Sequence, residues 1–277
     1  MAKPARVAPD LKTLNAAVEH SSPTTRIKAV QALAAYYKSN ALEEEAKSKT
    51  DELLLMLAVD KEVSVRHALA QEFTKIKAIS PDLVFSIASD IDDLALPFLA
   101  GSRAITSRMS AAIAKVGDEP RRAAIARRTD LTKETIEFIL REGGAKSIVQ
   151  LLSNGRVRFA AAQFEAILET HGDERPVLDA LVRRPDLPTH LKVMMAKQVS
   201  REMRRRLNGA EEDVLKRSEK KIIKAEEIAL LRIAAGTKKS ELAHLVAYLV
   251  ERKQLTPSLL LRAACMGEME LVVEALA

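Results

Sequence analysis

The 277-residue chain has no tryptophan, nine aromatic residues and nine glycines. Strand-forming residue types are thus in short supply, while alanine, leucine, lysine, arginine and glutamate, the strong helix formers, are plentiful. A single cysteine, Cys265, excludes an internal disulfide; in a helical pattern it reads as a small core residue, and the chain as one suited to a reducing cytoplasm. No apolar run opens the chain as a signal peptide would, and none reaches the roughly 18 uncharged residues of a membrane span. The formal net charge of +6 and pI near 9.3 permit an anionic partner without demanding one.

What is present is helical punctuation. Six of the ten prolines, Pro23, Pro81, Pro120, Pro176, Pro188 and Pro257, stand where a helix should begin, a position whose N–H has no intrahelical partner. Pro97 is different and predicts a kink at Leu96. Two helices are expected over residues 10–38, broken at His20-Ser-Ser-Pro23. The charged run after Asn40, up to about residue 52, reads as either a solvated helix or a linker, with the linker favoured.

From Leu53 a unit of about 30 residues recurs. LLMLAVD ending at Asp60 parallels LVFSIASD ending at Asp90, and each is followed by a second helix. Farther on, IARRTDL over 125–131 parallels LVRRPDL over 181–187, with the arginine doublets 56 positions apart. Asn154-Gly155 supplies the turn between them. One pair of short helices cannot bury both apolar stripes alone, so such units must stack. The expected fold is all-α, a right-handed α-α superhelix of antiparallel helix pairs. Residues 1–50 would form an N-terminal hairpin and linker, 51–206 the repeat array, and 207–277 a basic connector and a C-terminal block continuing the array. In the connector, Val199, Met203 and Leu207 fall on one helical face, with Lys197, Arg201, Arg204 and Arg205 on another. Residues 196–224 carry ten lysines and arginines against five acids. The final LVVEALA reads as a repeat without a polar cap, to be covered by further chain or by a partner.

The ordered segments LAVDKEVSVRHALA, IASDIDDLALPFLA, IARRTDL, LLSN, LVRRPDLP and LTPSLLLRAACMGEMELVVEALA resemble a bacterial, alphaproteobacterial-type domain family of unknown function with HEAT-like repeats, over about residues 53–277. The resemblance implies an all-helical solenoid-like fold with no established activity or ligand, and it carries no catalytic residues over. HEAT repeats also suggest a ladder of Asp in the turn and Arg in the second helix. Asp60 with Arg66 fits, whereas Asp90 meets Leu96 at the matching place.

Catalytic chemistry finds little support. No two of the five histidines lie three or four apart beside a carboxylate, as a zinc helix requires; His171-Gly172 reads as a helix end with a left-handed cap. Gly236-Thr-Lys-Lys-Ser lacks the glycine spacing and order of a phosphate loop, and no serine nucleophile elbow occurs. No cofactor and no metal are expected. The doublets Arg127–Arg128 and Arg183–Arg184, with Arg121 and Arg122, form a candidate interaction ridge, set against a structural role beside Asp130 and Asp186. Arg201, Arg204, Arg205, Lys220 and Lys221 form a second basic surface. The sequence thus favours a noncatalytic scaffold for a protein partner, an acidic one. The alternative is a nucleic-acid-binding repeat protein resembling the HEAT-like DNA glycosylases, which lean on tryptophan that this chain lacks.

Overall fold

The computed structural model describes residues 11–38, 44–207 and 212–277, and every regular element among them is a helix. The chain divides into two compact units, Met1–Val157 and Arg158–Ala277. The division expected from the sequence, at residues 50 and 206, differs from this one. Asp60 is the partner of Arg26, so the hairpin before residue 50 belongs with the helices after it.

The first unit contains α1 (Leu11–Val18), α2 (Pro23–Lys38), α3 (Glu44–Ala58), α4 (Val63–Thr74), α5 (Pro81–Ala88), α6 (Asp92–Gly101), α7 (Ser107–Val116), α8 (Glu119–Ala126), α9 (Lys133–Glu142) and α10 (Ala145–Ser153). The even-numbered helices pack one against the next from α2 to α10, and α1, α3 and α5 form a parallel row with α7 against α9. Each odd helix also packs on the even helix that follows it. The even row carries much of the core: Leu33, Leu69, Phe73, Phe98, Leu99, Ile125 and Leu151 are all but inaccessible. Burying an aliphatic or phenyl side chain of this kind is worth about 1.5–3 kcal/mol each.

Local chemistry sets the helix ends. Ser80, Thr106, Asp118 and Thr132 accept the N–H three residues on, and Pro81 and Pro120 occupy the first turns they cap. Pro97 lies inside α6. The expected linker after Asn40 is helical from Glu44. Its apolar stripe begins with Thr50, fully buried and donating its hydroxyl to the Ala46 carbonyl, and continues through Leu53, Leu54 and Leu57. The charged residues, among them the Glu45–Lys49 pair, cover the outer face. A threonine at the head of the stripe hides the helical period. Residues 41–43 of that run lie outside the described residues.

The second unit contains α11 (Ala161–His171), α12 (Arg175–Val182), α13 (Thr189–Leu207), α14 (Glu212–Ala235), α15 (Lys239–Glu251), α16 (Pro257–Met266) and α17 (Met269–Leu276). The expected connector is therefore two long helices packed side by side. Val193, Leu231, Leu245, Leu249 and Ala263 centre a core shared by α13 to α17. Gly267, at φ 83°, ends α16 in the left-handed region. Gly172 does not: its φ is −68°, and glycine is required there because a Cβ would collide with the Leu168 carbonyl and the Gln198 amide. Cys265 is exposed rather than part of the core, and α17 leaves Val273 and Leu276 in the open. No helix among the described residues is long and apolar enough to cross a membrane.

Candidate functional site

Arginines stitch the turns of the first unit together, along two opposite ends of its helices. At the turns inside each helix pair, Arg26 grips Asp60 through Nε and Nη2 at 2.6 and 2.9 Å while Nη1 donates to the His20 and Ser21 carbonyls. Arg66 repeats the device one pair later, bidentate on Asp90 at 2.8 and 3.1 Å, with Nη1 on the Asp60 carbonyl at 2.7 Å. The ladder thus links each arginine to the aspartate of the following pair, and it begins at α2. The carboxylate pairs run between units, Arg26 with Asp60 and Arg66 with Asp90, rather than within one unit as expected for Asp60 and Arg66. Burial alone would push the Asp60 and Asp90 carboxyls up; the guanidinium bonds and the N–H groups of Glu62 and Ile91 outweigh it and hold both below the usual range.

Arg121 and Arg122 lie at this same end. Arg121 donates to the Ala88 and Asp90 carbonyls and pairs with Asp92 and Asp118. Arg122 donates to the Ala114 and Gly117 carbonyls and to Glu119. Glu119 in turn accepts from the N–H groups of Gly144 and Ser147 and from the Ser147 hydroxyl, capping α10 from α8. Burial opposes its ionisation, but these donors keep its pKa low.

The doublet at 127–128 follows the other end of α8, so it shares no edge with Arg121 and Arg122. Its two members part ways. Arg127 is exposed, whereas Arg128 is only 6% exposed and spends all five N–H donors internally. Nε and Nη2 hold Asp130 at 2.9 and 3.0 Å; the remaining donors reach the carbonyls of Leu99, Ser102 and Ile105. Asn154 continues the stitch, its Nδ2 donating to the Ala126 and Arg128 carbonyls at 2.9 and 2.7 Å. In the second unit the motif behaves alike: Arg183 is exposed, and buried Arg184 pairs with Asp186 at 2.7 and 2.6 Å and stacks over Phe159. Of the six ridge arginines, four are therefore engaged with the chain itself, and only Arg127 and Arg183 face outward.

Beside Arg128 lies a cleft of about 470 Å³ that the sequence did not single out. Lys77 from the α4–α5 turn, Arg103 from the α6–α7 turn, and Arg128, Thr129 and Asp130 from the α8–α9 turn line it, with Ala100 to Ser102. Lys77 and Arg103 are exposed, and neither side chain has an ion-pair or hydrogen-bond partner among the described residues. They stand 26 positions apart in unlike loops. The one available signal was a cation in successive turns that follow even helices: Lys77, Arg103, Arg127 and Arg156.

In the second basic surface, Arg201, Lys220 and Lys221 are exposed, and Arg204 pairs with Glu226 at 3.3 Å. The Arg205 side chain lies outside the described residues. Val199 and Met203 are exposed, and the helix buries Val193, Met195 and Ser200 instead. Two members of the face expected to be apolar are thus open; the Leu207 side chain lies outside the described residues. Lys197 shares this surface: burial pushes its pKa down, Glu226 opposes, and Arg201, Arg204 and Arg252 add to the depression.

Among the described residues no three His, Cys, Asp or Glu side chains form a metal-binding group. His171 is buried with Nδ1 3.0 Å from Glu174, and His190 lies 3.3 Å from Glu165 and against Tyr248. Residues 94–277, well over half of the chain, match the model of a family described as an uncharacterised protein conserved in bacteria (DUF2336). No curated protein and no solved structure matches.

Proposed function

The chain belongs to this bacterial family, and we propose that it is a noncatalytic, HEAT-like helical-repeat scaffold, a right-handed α-α superhelix, that binds an acidic protein partner in the cytoplasm. One observation carries the reading. The arginines that face inward, Arg26, Arg66 and Arg128, are matched to carboxylates and carbonyls of neighbouring turns, while Lys77, Arg103, Arg127 and Arg156 face solvent without partners among the described residues. Cations that serve packing are paired; a row left unpaired at successive turns is a surface suited to negative charge. Stacked pairs supply such a surface over a long distance with little demand on any one unit.

The row has a structural continuity that favours its use as one surface. The Arg103 N–H donates to the Thr74 carbonyl, Arg128 to the carbonyls of the α6–α7 turn, and Asn154 to those of the α8–α9 turn, so the four turns are hydrogen-bonded in sequence. Chemical crosslinking in the native host followed by identification of the crosslinked species tests the reading. Recovery of a defined acidic protein crosslinked through the first unit is the expected result. Recovery of nucleic acid alone would refute it and leave the nucleic-acid reading in its place.

A further inference from the structure

The cleft beside Arg128 carries the scaffold reading one step further. Its floor is electrically closed: Arg128 has no donor to spare, and its charge is met by Asp130. Lys77 and Arg103, both exposed, therefore line it as two positive charges with no ion-pair partner among the described residues, and Thr129 lines it too. The volume lies within the range of sites that enclose a side chain or small ligand.

Resting on the scaffold reading, we propose that this cleft seats a carboxylate side chain of an extended acidic peptide segment of the partner, held by Lys77 and Arg103, while Arg127 and Arg156 take further carboxylates along the same edge. Packed helices lie about 8–10 Å apart and an extended chain advances about 3.3 Å per residue, so acids three positions apart match one turn and the next, as from Arg127 to Arg156. Sequence-tolerant binding of single-stranded nucleic acid uses aromatic faces on which bases stack. None of the residues lining this cleft is aromatic. A peptide is the better fit.

The test uses the full chain and a short fluorescein-labelled peptide with glutamate at every third position, read by fluorescence anisotropy at low salt. A glutamine version of the peptide and an oligothymidylate serve as competitors. The paired substitution K77E/R103E should weaken binding at least about tenfold, because repulsion replaces attraction at both contacts. K61E/K146E makes the same change in net charge at exposed positions outside the cleft and should leave binding within about twofold. Circular dichroism confirms that both variants remain helical. Equal losses in the two variants, no peptide binding by the parent chain, or preference for oligothymidylate would overturn the assignment. Should K77E/R103E still crosslink to the host's acidic partner as the parent does, the cleft assignment fails while the scaffold reading survives. Loss of that partner together with the peptide supports both.

Discussion

Substituting each arginine of the 127–128 doublet separately measures how differently two adjacent, identical residues behave. Arg128→Ala removes a guanidinium that is 6% exposed and strands the carbonyls of Leu99, Ser102 and Ile105 together with the Asp130 carboxylate. Asp130 is half exposed and regains water when its partner goes, so the cost comes mainly from the orphaned carbonyls, at about 1–3 kcal/mol for a buried polar group left unsatisfied. Arg127→Ala removes an exposed side chain and should stay within about 0.5 kcal/mol of the parent. Arg128→Lys should recover less than half of the loss, since an ammonium offers three donors from a point where the guanidinium reaches four acceptor groups in a plane. Urea titration followed by circular dichroism provides the comparison. Equal costs for the two alanine variants, or full rescue by lysine, would refute the division of labour within the motif.

Acid should weaken the first unit through its ladder. Asp60 and Asp90 have folded pKa values below their ordinary range, so their stabilisation is complete above the unfolded value of about 3.9 and is lost as pH falls through the folded values; a midpoint urea concentration unchanged from pH 5 to pH 3 would contradict this. Lys197 has the opposite sign of effect. Its folded pKa is depressed, so its charge disfavours the folded state at neutral pH and the penalty lifts as pH rises through the folded value; Lys197→Met should raise the melting temperature at pH 7 and flatten its rise toward alkaline pH. At Gly267, φ 83° is costly for an L side chain, so Gly267→Ala should destabilise by about 1–2 kcal/mol in the same titration, while Gly155→Ala, whose Cβ meets open space, should cost clearly less.

Helix starts were legible because proline and the small capping residues act locally: Ser80 before Pro81 and Thr256 before Pro257 do in the structure what their order in the chain implies. The arginine doublets show where local reading stops. Both residues follow a helix end, and a helix-end preference cannot separate them: each stands three positions beyond a buried residue, Arg127 beyond Ala124 and Arg128 beyond Ile125. What buries Arg128 is the set of carbonyls it reaches 23 to 29 residues earlier in the chain, which no local pattern shows. The register of the Asp–Arg ladder is not a local property, since its partners are 34 and 24 residues apart, in different pairs. The cleft was not legible at all, since Lys77 and Arg103 share no motif and meet only through the stacking of two turns.

Arg128 clamps the turn before it mainly through main-chain carbonyls, those of Leu99, Ser102 and Ile105. Every residue type offers the same carbonyl, so the clamp is blind to which side chains that turn carries. The α6–α7 turn can thus be held in place while its outward residues change, and Arg103 is one of them. Rigidity and recognition are thereby assigned to different atoms of one turn, and a new binding preference can arise there by substitution without loosening the stack.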